Sequence, residues 1–195
     1  MIAAASNPKI LWYMTRGTGV VSLLLLTLTL ALGITEVSRW ASHHLPRFVT
    51  AALHKNVALL SVVFLGVHIA APVIDGYAPI RWIDAVVPFG SAYKPVWLGL
   101  GAVALDLLIA LIVTSLLRRY IGYRVWRAVH WAAYACFPIA VLHGITIGTD
   151  RHTGWMLLLT LGCLAAVTGA AWWRFSESVW ARTHPMPPVT RGQLS

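Results

Sequence analysis

Residues 124–149 read RVWRAVHWAAYACFPIAVLHGITIGT. Past Arg127 this stretch carries no Lys, Arg, Asp or Glu, and its two histidines, His130 and His143, are spaced i, i+13. Residues 47–74, RFVTAALHKNVALLSVVFLGVHIAAPVI, match it: no such charge follows Lys55, and His54 and His68 are spaced i, i+14. An uncharged run of roughly 20 residues is long enough to cross a bilayer as a helix. An ionisable side chain is costly inside such a run, so histidines placed there mark a functional site.

The remainder of the chain has the same character. Of its 195 residues, 58% are hydrophobic and 11% are charged, against about 25% charge in a soluble domain. Five apolar runs stand out: residues 17–35, 56–74, 95–117, 128–149 and 153–173. The second and fourth helices start earlier, near Arg47 and Arg124. The runs lack the alternation of a membrane barrel, so the fold class is all-α: an integral membrane bundle of five transmembrane helices. The first run is long for a signal sequence and no small-x-small cleavage site follows it. The domain organisation is a membrane domain over residues 1–175 and a short loose tail over 176–195. Five spans leave no length for a second folded domain.

The net charge of +9 comes from basic residues that flank the apolar runs, as membrane topology requires, and no basic stripe interleaved with exposed aromatics suggests nucleic acid. The partner implied by composition is the lipid bilayer. Ten basic residues, among them Arg39, Arg47, Lys55, Arg118 and Arg174, fall on one side, and five, Lys9, Arg16, Arg81, Lys94 and Arg151, on the other. The excess places the N-terminus outside and the C-terminus in the cytoplasm of an integral cell-membrane protein. Cys136 and Cys163 lie within apolar runs and form no disulfide framework. The connection from Asp75 to Lys94 is long, and Ile80, Trp82, Ile83, Val86, Val87 and Phe89 give it an apolar face for the outer membrane surface.

The second and fourth helices cross in the same direction. His54 lies a similar distance beyond Arg47 as His130 beyond Arg124, so His54 is level with His130 and His68 with His143. At about 1.5 Å per residue the two levels are roughly 20 Å apart. Two imidazoles from facing helices suit an iron held axially, and haem supplies the other four ligands. A zinc site needs more ligands at each level than are present. The i, i+13 spacing turns His143 roughly 140° away from His130 on a straight helix, so Pro138 is expected to kink the helix and re-aim His143. The cations placed for haem propionates are Arg47, Lys55 and Arg127 at the inner level, and Arg16, Arg81, Lys94 and Arg151 at the outer. Asp106 in the third span, and Asp150 with His152 in the outer loop, are candidates for handling protons or metal. Phe64 and Phe137 fall between the two levels and read as packing.

The two paired spacings, with Val129-His130-Trp131-Ala132-Ala133-Tyr134 opening the fourth span and Leu142-His143-Gly144 closing it, resemble the ferric reductase-like transmembrane domain family over about residues 10–175. The resemblance implies two b-type haems, held by His54 with His130 and by His68 with His143, in a dihaem core between the second and fourth helices. It implies electron transfer from a cytoplasmic-side donor to an acceptor at the outer face. Family members typically have six spans, and the oxidases among them add a flavin and NADPH domain. This chain has five runs and no flavin or NAD(P) site, since Gly99-Leu100-Gly101-Ala102-Val103-Ala104 lies within a span, where small residues serve helix packing. The electron donor is therefore separate, a flavoprotein or a quinol. The alternatives are a quinol-linked cytochrome b subunit of a larger complex and a non-redox membrane assembly subunit.

Overall fold

The computed structural model describes residues 8–37, 46–76, 78–148 and 153–183. Those residues form helices and connections, with no strand among them. Helix α1 runs Pro8–Val37 and α2 runs Arg47–Asp75. A short 3-10 helix, Trp82–Ala85, lies in the connection to α3, Pro95–Leu116. Then come α4, Arg118–His130, α5, Ala133–Ile147, and α6, Gly154–Thr183.

Local chemistry sets several of these boundaries. Pro95 occupies the first helical position, where the missing N–H costs nothing. Gly76, at φ 66°, takes the left-handed conformation that closes α2. Within the helices the hydroxyls of Thr15, Thr27, Thr29, Thr114, Ser115, Thr160 and Thr168 donate back to carbonyls one turn earlier. That satisfies each hydroxyl inside its own helix, as an apolar solvent demands.

Helices α1, α2, α3 and α6 are each long and apolar enough to cross a membrane, and the bent pair α4–α5 makes a fifth candidate. Many large apolar side chains point outward, among them Leu24, Leu59, Val63, Ile109 and Leu158. In water such a surface would be a liability; in a bilayer it is the solvated face. The buried apolar cluster is small. Leu30, Ile34, Phe137, Val141, Cys163 and Val167 close together where α1, α5 and α6 meet. Phe137 thus serves packing, as its sequence position suggests.

The packing is paired. Helix α2 lies against α1, α5 lies against α3, and α1 joins the two halves through α5 and α6. Helix α2 scarcely meets α4 or α5. The space between the halves is a cavity of about 960 Å³.

Two expectations need correction. The bend in the fourth apolar run does not fall at Pro138, which sits inside α5. It falls at Trp131–Ala132, just past His130, and turns the chain by 46°. Tighter backbone hydrogen bonds, Ala132 to Val129 and Tyr134 to Trp131, draw the chain in there. His130 and His143 therefore sit on separate helices, and the mismatch in facing expected of one straight helix does not arise. The second correction concerns the tail. Residues 176–183 continue α6 as helix, because no proline or glycine interrupts them before Pro185.

In the connection between α2 and α3, Trp82, Ile83, Val86, Val87 and Phe89 are exposed as expected, while Ile80 is half-buried. Asp84 fixes this connection. Its carboxylate accepts from the Arg81 guanidinium at 2.9 Å and from the Arg81 backbone N–H at 3.0 Å. These bonds hold its pKa below the usual carboxylate value. Phe89, at φ 64°, reaches α3 at Gly99, where a β-carbon would collide with its ring.

Candidate functional site

The four span histidines come together in two pairs. The ring centres of His54 and His130 are 6.4 Å apart, and those of His68 and His143 are also 6.4 Å apart. Two imidazoles that share a metal ion from opposite sides stand about 6 Å apart. That spacing is a bond of about 2 Å on each side plus roughly 1 Å from each nitrogen to its ring centre.

Backbone carbonyls aim three of the rings. His68 Nδ1 donates to the Thr15 carbonyl at 2.8 Å, His54 Nδ1 to Thr29 at 2.9 Å and His143 Nδ1 to Trp97 at 2.8 Å. With the proton fixed on Nδ1, the Nε2 lone pair is free for a ligand. Thr15 and Thr29 on α1 have the same i, i+14 spacing as His54 and His68 on the antiparallel α2.

Each acceptor carbonyl is followed one helical turn later by a glycine: Thr15 by Gly19, Thr29 by Gly33 and Trp97 by Gly101. In a helix the β-carbon tilts toward the N-terminus, over the carbonyl one turn back. A β-carbon on Gly19 would stand 2.9 Å from the His68 ring, on Gly33 3.2 Å from His54, and on Gly101 2.6 Å from His143. The glycines expose the second lone pair of each carbonyl and make room for the ring.

His130 departs from this pattern. Its Nδ1 is buried and has no hydrogen-bond partner. The ring stacks instead on Trp126, with centres 4.9 Å apart and planes at 27°. Trp126 Nε1 donates to the Ser115 hydroxyl at 3.2 Å, and the Arg118 guanidinium lies 4.2 Å over the Trp126 ring.

The cavity between the halves is lined by His68 and His143, by Gly19 and Gly101, and by Arg16, Asp75 and Tyr93. Among the described residues no cluster of three or more His, Cys, Asp or Glu could hold a metal alone.

The other residues singled out in the sequence lie at varied distances from this centre. Arg16 lines the cavity that holds His68. Lys94 is exposed, its ammonium 5.7 Å over the Tyr93 ring. Arg127 is exposed and lines an open groove with Tyr123, Arg124, Ala128 and Trp131. Lys55 is exposed, and Arg81 is bonded to Asp84. Asp106 is half-buried on α3, and Phe64 is half-buried on α2. The Arg47 side chain, Asp150, Arg151 and His152 lie outside the described residues. Sequence reasoning missed the carbonyl–glycine pairs, Ser115 and Trp126. The signal was present: Thr-x-x-x-Gly occurs at residues 15–19 and again at 29–33, offset by the same interval that separates His54 from His68.

A family model, the ferric reductase like transmembrane component, matches residues 18–141. The chain belongs to this family. Membership makes it a haem-binding type of membrane domain with a role in electron transfer, in general terms. The matched segment of this ferric reductase-like chain covers His54, His68 and His130 and stops just short of His143. No curated protein and no solved structure matches the chain.

Proposed function

We propose that this ferric reductase-like chain is a transmembrane b-type dihaem electron carrier, passing electrons from a donor on the cytoplasmic side to an acceptor at the outer face. The observation that carries this reading is the pair of histidine couples, each with ring centres 6.4 Å apart and each bridging the two halves of the bundle. The protein offers two imidazoles per level and no third metal ligand among the described residues, so the remaining ligands must belong to a macrocycle. Bound haem supplies a reversible one-electron couple.

The chain's own residues do the rest. His54 with His130, and His68 with His143, would hold the two haem irons. The carbonyls of Thr15, Thr29 and Trp97 fix tautomer and ring angle at three of the four and raise ligand basicity. Gly19, Gly33 and Gly101 keep the approach clear. By their sequence positions, Arg16 and Lys94 at the outer level and Arg47 and Arg127 at the inner level are the cations offered to haem propionates. The apolar walls of the bundle keep water from the path between the levels.

The test is haem content. Pyridine haemochrome analysis of the purified chain should give about two non-covalent b-type haems, since neither Cys136 nor Cys163 stands in a Cys-x-x-Cys-His sequence. A clean, folded preparation with no Soret band would overturn the reading in favour of a non-redox assembly subunit.

A further inference from the structure

Three of the four ring-aiming positions share one design, and the fourth breaks it. On α3, Leu111 stands to Trp97, and Ser115 to Gly101, in the same i, i+14 relation that links Thr29 to Thr15 on α1. The contact between Trp126 and Ser115 brings α4 alongside this end of α3. His130, one turn past Trp126, therefore comes level with Leu111. By the register of the other three, the Leu111 carbonyl is the acceptor for His130 Nδ1. It does not serve. Ser115 donates its own hydroxyl to that carbonyl at 2.7 Å, with the Thr114 hydroxyl a longer second contact at 3.3 Å, and Ser115 carries the β-carbon that glycine omits elsewhere. His130 Nδ1 is left buried without a partner.

We propose that Ser115 is a positioning residue that makes the His54–His130 site the more oxidising of the two, by denying His130 the carbonyl bond that His54, His68 and His143 all have. The proposal rests on the haem reading above. An imidazole whose Nδ1–H is hydrogen-bonded to a carbonyl gains electron density at Nε2 and favours ferric iron. The His68–His143 site has two such imidazoles and the His54–His130 site has one. A cation beside this site acts in the same direction. Arg118 lies over Trp126, against which His130 stacks, and a cation favours the ferrous state, which carries less positive charge. An electron that enters the chain thus rests at the His54–His130 level until the acceptor or the membrane field draws it on.

The experiment is optical redox titration of the full haem-loaded chain in detergent or lipid discs. His68→Ala leaves only the His54–His130 site, and His54→Ala leaves only the other. The midpoint should be higher in His68→Ala than in His54→Ala. Adding Ser115→Gly to His68→Ala removes the shorter hydroxyl contact and the β-carbon from the Leu111 carbonyl and should lower that midpoint. Ser115→Ala keeps the β-carbon and should leave it where it was. Equal or reversed midpoints in the histidine variants overturn the proposal. So does a Ser115→Gly midpoint that does not move, or one that Ser115→Ala reproduces. Should a histidine variant lose all haem, wild type and Ser115→Gly are titrated directly. Only the higher of two resolved midpoints must then fall, and any other outcome overturns the proposal. A wild-type chain without haem absorbance refutes the haem reading itself, which is a different result.

Discussion

At Gly101 a single methyl group would stand 2.6 Å from His143 Cε1, closer than real contacts allow. The ring would have to swing away, and with it the Nδ1 bond to Trp97 and the spacing to His68. On the dihaem reading, Gly101→Ala should therefore remove the outer haem and leave the inner one, halving the haem measured per chain. Overpacking of this kind costs roughly 1–3 kcal/mol, so the apoprotein should melt slightly lower as well. Gly162 on α6 faces open space, and Gly162→Ala should leave haem content unchanged. Gly33 is an intermediate case: a β-carbon would meet His54 at 3.2 Å, and a shift of a few tenths of an ångström relieves it. Gly33→Ala should keep its haem with an altered spectrum.

The histidines themselves were legible in the sequence, because an ionisable group in an apolar run has few reasons to be there. The glycines were not. Gly101 falls in a small-residue run that suggests helix–helix packing, and only the neighbouring helix shows that its partner is an imidazole ring. His130's missing acceptor was illegible for a related reason. Its absence is a relation between Ser115, Leu111 and a helix on the other side of the bend.

At the scale of the element, the connection between α2 and α3 depends on one ion pair. Asp84 is buried while Arg81 is largely exposed, and the bonds between them lower the Asp84 pKa. A carboxyl whose folded pKa is depressed stabilises the fold above its unfolded value, about 4, and loses that contribution as pH falls through the folded value. Limited proteolysis of residues 78–94 in lipid discs should therefore be flat from neutral pH to about 5 and rise only in stronger acid. Asp84→Asn should raise cleavage at neutral pH and remove the acid dependence. A steady rise between neutral pH and about 5 would count against this account.

Element boundaries show where sequence reasoning is strong. The starts at Arg47 and Pro95 follow from proline and charge. The split of the fourth apolar run does not, because the run remains apolar across Trp131 and Ala132 while backbone hydrogen bonds shorten there. Gly122, at φ 78° and ψ 160°, marks a second break, so that α4 runs unbroken only beyond it. This agrees with a helix that begins near Arg124.

At the scale of the whole molecule, five crossings would put the two termini on opposite faces. The ten-to-five division of basic residues predicts a cytoplasmic C-terminus. A fusion after Ser195 should be active with a cytoplasmic reporter and silent with one that folds only outside. The reverse would overturn this orientation.

The two halves of the bundle are synthesised one after the other. The α1–α2 hairpin emerges first, with His54 and His68 already braced by Thr29 and Thr15. Their partners arrive only once the chain has passed α5. Because α2 scarcely meets α4 or α5, the second half is held in register by α1 and by the short connection before α3. On the dihaem reading, pigment supply becomes a checkpoint in biogenesis. In cells starved of it, newly inserted copies should carry a gap where a mortar belongs, and membrane proteases should clear them before any activity is lost to chemistry.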